Sequence, residues 1–191
     1  KIWPIEAKMK KEDIYWGAML GIAEMIKSGT TTFADMYGDM DQVAQACIDT
    51  DIRAVLSRGI IGVAPNGNQA LEENKILFRD FNNANDGKIT VMFGPHAPYT
   101  CPPDFLQKVV KVSEKYNGEI HIHLAETKGE VENCLKEYGK TPIALMEKVG
   151  ILDRGVLAAH CVHLTDEDIQ IMKKYNVRVA HNPGSNMKLA S

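Results

Sequence analysis

The chain has 191 residues and a mass of 21.2 kDa, carries 22 Lys+Arg against 25 Asp+Glu for a net charge of −3, and is 45% hydrophobic. That much apolar material can build a core and excludes a disordered chain, while a pI near 6.1 lacks the positive charge that a nucleic-acid partner requires. No apolar run approaches the roughly 20 residues of a membrane span, and no basic-then-apolar leader is visible.

The pattern alternates short apolar runs with amphipathic ones. Taken in chain order, Glu12–Ser28 predicts a helix with Ile14, Ala18, Ile22, Met25 and Ile26 on one face and Gly29 as its stop. A strand follows over Thr30–Asp35, a helix over Asp41–Asp49, a strand over Arg53–Arg58 and a helix over Leu71–Phe81. Ile89–Gly94 reads as the next strand, and Pro103–Tyr116 as a helix that opens with proline and ends before Asn117-Gly118. The strand Glu119–Leu124 leads to helices over Glu130–Tyr138 and Pro142–Val149, the second with Thr141 as N-cap. A strand over Val156–His160, a helix over Asp166–Tyr175 behind Thr165, and a strand over Val177–His181 complete the series. Buried parallel strands have this short, apolar, turn-bounded character.

Strict alternation of this kind predicts an α/β fold with a parallel sheet covered by helices. GxGxxG and GxxxxGK[ST] are both absent, which disfavours a nucleotide-binding doubly wound sheet. Spacing of about one βα unit per strand favours a (β/α)8 barrel, which needs about 250 residues. The chain therefore reads as six of eight barrel units, in one domain over residues 1–191 that is incomplete at both ends. The start at Lys1 and the stop after Asn186-Met-Lys-Leu-Ala-Ser191 suggest an excerpt of a longer protein. Cys47, Cys101, Cys134 and Cys161 show no CxxC spacing, as expected of free thiols in the cytoplasm.

Barrel enzymes carry their chemistry at the C-terminal ends of the strands, and the histidines fall there. His96 follows one strand, His121 and His123 lie in another, His160 closes the next, and His181 closes the last; His163 trails His160 in a loop. His121 and His123 share a facing, and His121 is as well explained by a satisfied core imidazole as by a site role. His181 is best read as holding its loop, and His163 as a loop residue. His123, Glu126 and His160 together suit a hydrolytic metal site: an imidazole holds the ion, a carboxylate moves protons, and a second imidazole steadies the activated water.

The runs GPHAPYTC (94–101), IHLAE (122–126), AAHCVHL (158–164) and HNPGSNMKL (181–189), with KIWPIEAKM (1–9) and SGTTTFADMY (28–37), resemble the amidohydrolase superfamily. Within it they are most similar to the deaminases of 5-methylthioadenosine and S-adenosylhomocysteine. The resemblance covers essentially the whole chain and implies a barrel with one divalent metal, zinc first and iron as the alternative. It implies that His123 is a metal ligand, Glu126 the proton shuttle beside the base, and His160 a catalytic contact to the activated water. It further implies that His96 contacts substrate, Glu6 binds the ribose hydroxyls, and Arg58 lies near the 5′ substituent. The expected reaction is hydrolytic deamination of an adenosine-type nucleoside to the inosine form with release of ammonia. The partner is thus a small-molecule nucleoside, without nucleic acid or membrane, and homo-oligomers are known among such relatives.

The sequence departs from that pattern in three respects. The family's His-x-His pair and its late aspartate are not present, which leaves His123 as one of four expected ligands and predicts that these 191 residues alone are inactive. Ala70 stands before Leu71-Glu72-Glu73-Asn74, where some relatives have an arginine for the amino-acid carboxylate of S-adenosylhomocysteine; this favours a smaller 5′ group. GPHAPY carries no lysine, which favours one metal over two. The alternatives are a single-metal amidohydrolase acting on cytosine, guanine or a triazine, and a barrel fragment without a complete site.

Overall fold

A computed structural model of the chain describes residues 3–6 and 8–191. Lys1, Ile2 and Ala7 of the KIWPIEAKM run lie outside the described residues. The helices are α1 (Trp3–Glu6), α2 (Lys11–Lys27), α3 (Met40–Thr50), α4 (Gly67–Phe81), α5 (Ala84–Gly87), α6 (Pro103–Tyr116), α7 (Lys128–Tyr138), α8 (Pro142–Val149), α9 (Asp166–Lys174) and α10 (Pro183–Leu189). The strands are β1 (Thr32–Tyr37), β2 (Arg53–Ile60), β3 (Ile89–Pro95), β4 (Ile120–Leu124), β5 (Val156–His160) and β6 (Arg178–Ala180). They follow one another in the sheet in chain order, and the pairs β1–β2, β3–β4, β4–β5 and β5–β6 are parallel. This is the α/β alternation of consecutive barrel units. Among the described residues no helix is long and apolar enough to cross a membrane.

All six expected strands and all seven expected helices form, with shifted ends. β1 starts at Thr32 rather than Thr30. Gly29 adopts a left-handed φ of +88° and Thr30 N–H donates to Met25 O at 2.9 Å, so these residues close α2 before the strand can begin. α4 starts at Gly67, four residues ahead of the expected Leu71. A Cβ at Gly67 would meet Ile61 O at 2.7 Å, so the glycine is there for close backbone approach. β6 is shorter than expected, and the brief helices α1, α5 and α10 were invisible to periodicity because none holds two full turns.

The chain gathers into two compact units, Lys1–Arg58 with Glu73–Met92 and Gly59–Glu72 with Phe93–Ser191. In the first, Ile22, Val43, Cys47, Leu56, Leu77 and Ile89 form the centre of a buried apolar core. In the second, Phe93, Leu106, Ile120, Ile122, Leu124, Ile143 and Met146 are fully buried. Here the threonine caps anticipated from sequence are in place. Thr141 Oγ1 accepts from Ala144 N–H, and Thr165 Oγ1 accepts from Asp168 N–H while the Asp168 carboxylate accepts from Thr165 N–H. Each such cap contributes about 1 kcal/mol.

Candidate active site

The site of the second unit begins with the amphipathic misfit of β4. Ile120, Ile122 and Leu124 are buried on one facing, and His121 and His123 alternate with them on the other. Past the strand the backbone turns through an unusual conformation: Ala125 has φ +50°, His160 +75° and Cys161 +53°, a left-handed region that non-glycine residues enter at a cost of about 1–3 kcal/mol. Backbone hydrogen bonds hold it there. Cys161 N–H donates to Leu124 O at 2.9 Å, and Val162 and His163 N–H both donate to Ala125 O at 3.0 Å. The loop bearing Glu126 and the loop following His160 are thereby stitched together.

The side chains converge accordingly. The His96 and His123 rings lie 4.9 Å apart between centroids, His123 and His160 5.4 Å, and His121 and His123 stack at 6.1 Å. Glu126 Oε1 is 3.6 Å from His160 Nε2, with both side chains more than four-fifths buried. Tyr99 meets His96 edge-on at 5.7 Å. Thus four of the six residues expected at the site, His96, His123, Glu126 and His160, lie together.

Hydrogen bonding fixes the tautomers of His123 and His96. His123 Nδ1 lies 2.9 Å from His96 O; a carbonyl only accepts, so Nδ1 holds the hydrogen and Nε2 keeps its lone pair. Thr100 Oγ1 donates to Ala97 O at 3.1 Å, so its contact with His96 Nδ1 at 3.0 Å is one in which the imidazole donates. His160 Nδ1 lies within reach of both ends of the Asn186 amide, Nδ2 at 3.1 Å and Oδ1 at 3.4 Å; the shorter contact has the amide donating, which leaves the proton on His160 Nε2, facing Glu126. Burial, helped by the neighbouring His123, pushes His96 and His121 down to about 4. Burial also lowers His123. These three rings are neutral at pH 7, the form in which an imidazole binds a metal. Burial raises the Cys161 thiol to about 12, which makes it an inert wall and no nucleophile.

Whether these residues could hold an ion is decided by the donor set. His123 Nε2 is a free lone pair on a ring whose other nitrogen is anchored to a carbonyl, as metal-binding histidines are. Among the described residues no group of three His, Cys, Asp or Glu side chains is arranged to hold a metal. The residues present fit one corner of a metal site.

The other two expected residues belong to the first unit. The Glu6 carboxylate accepts from Tyr37 O–H at 2.5 Å, a contact that pushes the Tyr37 hydroxyl up to about 12. Arg58, at the end of the pairing register of β1 with β2, pairs with Glu73 at 2.7 Å. Both Arg58 and Glu73 line a cleft of ≈ 490 Å³ together with Lys11, Asp39 and Asp41. Ala70 is buried. Sequence reasoning gave no role to Thr100, Glu130 or Asn186. Glu130 and Asn186 are buried and Thr100 partly so, and burial is not legible in the sequence at those positions.

The amidohydrolase family model matches residues 3–191, and the chain belongs to that family. It is 56% identical over its full length to a 5-methylthioadenosine/S-adenosylhomocysteine deaminase of Syntrophomonas wolfei subsp. wolfei, covering 44% of that protein. It is 54% identical to a protein of the same name from Desulfitobacterium hafniense, again over 44% of the relative. The chain therefore spans less than half the length of the curated relatives it matches. Among solved structures, an adenosine deaminase from Xanthomonas campestris with bound zinc superposes with a TM-score of 0.91 at 32% identity, over all of this chain and 44% of that one.

Proposed function

We propose that the complete protein hydrolytically deaminates an adenosine-type nucleoside, 5′-methylthioadenosine, S-adenosylhomocysteine or a similar compound, to the inosine form and ammonia, using one divalent metal, zinc first. The observation that carries this reading is the buried Glu126–His160 pair beside the neutral His96 and His123 rings. Relatives at 54–56% identity named as such deaminases and a zinc-bound adenosine deaminase of the same fold support it. His123 is the ligand this chain offers through Nε2. The chemistry such an ion contributes is activation of water at neutral pH.

The chain's own residues do the rest. Glu126 holds and delivers the proton that the ring nitrogen needs as water adds to C6 and the C–N bond breaks. His160, fixed by Asn186, orients toward Glu126 and steadies charge at the reacting oxygen. His96 hydrogen-bonds the base edge through Nε2, while Glu6 and Arg58 serve the ribose and the 5′ substituent. A buried Ala70 offers no grip for an amino-acid carboxylate, which favours the smaller 5′ group.

The test is ammonia release by the complete protein from 5′-methylthioadenosine, adenosine, S-adenosylhomocysteine, guanine and cytosine. Turnover of the nucleosides, lost on chelation and restored by zinc, is expected; turnover of the free bases alone overturns the nucleoside reading. Glu6→Gln is expected to depress nucleoside turnover far more than that of any free base, and an equal fall would refute the ribose role.

A further inference from the structure

Glu130 is a buried acid, 7% exposed, to which the chemistry above gives no part. It stands three residues into α7 behind the Thr127 N-cap, where a glutamate ordinarily reaches back to the N–H of the cap residue itself. Glu130 reaches further. One carboxylate oxygen accepts from Ala125 N–H and the other from Glu126 N–H, both at 2.9 Å, while Thr127 Oγ1 accepts from Glu130 N–H at 3.1 Å. Both oxygens are thus committed to the residue that bears the candidate proton shuttle and to the left-handed residue before it. The Ala125 carbonyl is occupied from the opposite side by Val162 and His163 N–H. The peptide units around Ala125 are pinned at both faces, and the Glu126 side chain springs from a fixed point.

We infer that Glu130 is a positioning residue: its buried carboxylate clamps the backbone at Ala125 and Glu126 and so sets the Glu126 carboxylate against His160. The inference rests on the deaminase reading given above. A merely structural helix cap is satisfied by one bond to the Thr127 N–H; two charge-assisted bonds aimed past it, at the residue carrying the reactive group, are what alignment requires. An amide cannot replace the carboxylate here, because its NH2 would face an N–H donor.

The experiment compares Glu130→Gln in the complete metal-loaded protein with wild type, using 5′-methylthioadenosine, and includes Thr141→Ala as a reference. That reference removes an N-cap on a different helix and so costs stability without touching the clamp. Glu130→Gln is expected to lower kcat about 10- to 100-fold, the scale of a small misplacement of a reacting group, with KM within about threefold. Thr141→Ala, at a similar loss of thermal stability, keeps wild-type kcat. Should Glu130→Gln not fold, Glu130→Asp makes the same comparison; it keeps the charge but draws the carboxylate back by one methylene, so it cannot span both N–H groups. A wild-type kcat in the Glu130 variant, or an equal loss in Thr141→Ala, overturns the inference alone. A wild-type protein that deaminates no adenosine nucleoside overturns the functional reading, and this role with it.

Discussion

Polar residues gather both near the ends of β1 and β2 and near the ends of β4 and β5, but the contacts they make differ in exposure. At the first pair, Glu6–Tyr37 and Arg58–Glu73 are charge-bearing contacts with one or both partners open to water, and β1 buries none of its residues fully. At the second, His121, His160 and Glu130 are all under one-tenth exposed and four of the five β4 residues are buried. Water reaches the first set, and the Glu6 contact there still pushes the Tyr37 hydroxyl up to about 12. The second set is desolvated: burial lowers His121 and raises Glu130, and each buried polar atom needs a protein partner. The two regions thus differ in how far water reaches their polar contacts.

The comparison can be broken most decisively at Glu126. Glu126→Gln should lower kcat by about 10²–10⁴ while the folded state persists; loss of activity that merely follows unfolding would remove Glu126 from the chemistry. Next in size, Ile122→Ala should cost about 2–5 kcal/mol in a urea titration, whereas Thr32→Ala on exposed β1 should stay within about 0.5 kcal/mol; equal losses would show that the strands do not differ in burial. Asn186→Ala strips a buried ring nitrogen of its partner and should cost about 1–3 kcal/mol, with the His160 tautomer mixture visible in its 15N shifts. An unchanged tautomer would show that Asn186 does not orient the ring. A double-mutant cycle on Arg58 and Glu73 should return only about 0.2–1 kcal/mol of coupling.

The smallest effect is a pH-dependent one. Lys88, and after it Asn85, hold the exposed Asp51 carboxylate below its ordinary value. A carboxylate lowered in the folded state stabilises the fold above its unfolded pKa of about 3.9 and loses that contribution as pH falls through the folded value. Asp51→Asn should therefore be slightly less stable than wild type at pH 6, and the two should converge in acid. A gap that widens in acid would reverse the sign of the assignment.

The fold was legible because burial writes itself into period and length: β4 reads IHIHL with isoleucine and leucine on one facing, and Ile14, Ala18, Ile22 and Met25 of α2 recur at helical spacing against the core, although Ile26 of the expected face is exposed. The site was legible in part, since histidines and a glutamate clustered at strand ends without any need to know their partners. What stayed hidden depends on backbone geometry. Nothing in Ala125, His160 or Cys161 marks a left-handed turn, because glycine is the residue that signals one and none is present there. Glu130 sits in a Thr-x-x-Glu spacing that reads as an ordinary cap, and only the fold shows its carboxylate passing the cap by. The start of α4 at Gly67 was hidden as well, because the apolar pattern begins only at Leu71.

One atom of His96 works independently of its ring. The main-chain oxygen of that residue takes both the His123 backbone N–H at 3.0 Å and the His123 ring Nδ1–H at 2.9 Å. Side-chain replacement leaves that oxygen untouched, so the geometry of His123 is inherited from the course of β3 and survives any substitution at position 96 that preserves the strand. Alanine scanning would record the loss of one imidazole and miss the second duty entirely, which only an amide-to-ester exchange of the backbone, by weakening the carbonyl as an acceptor, could expose.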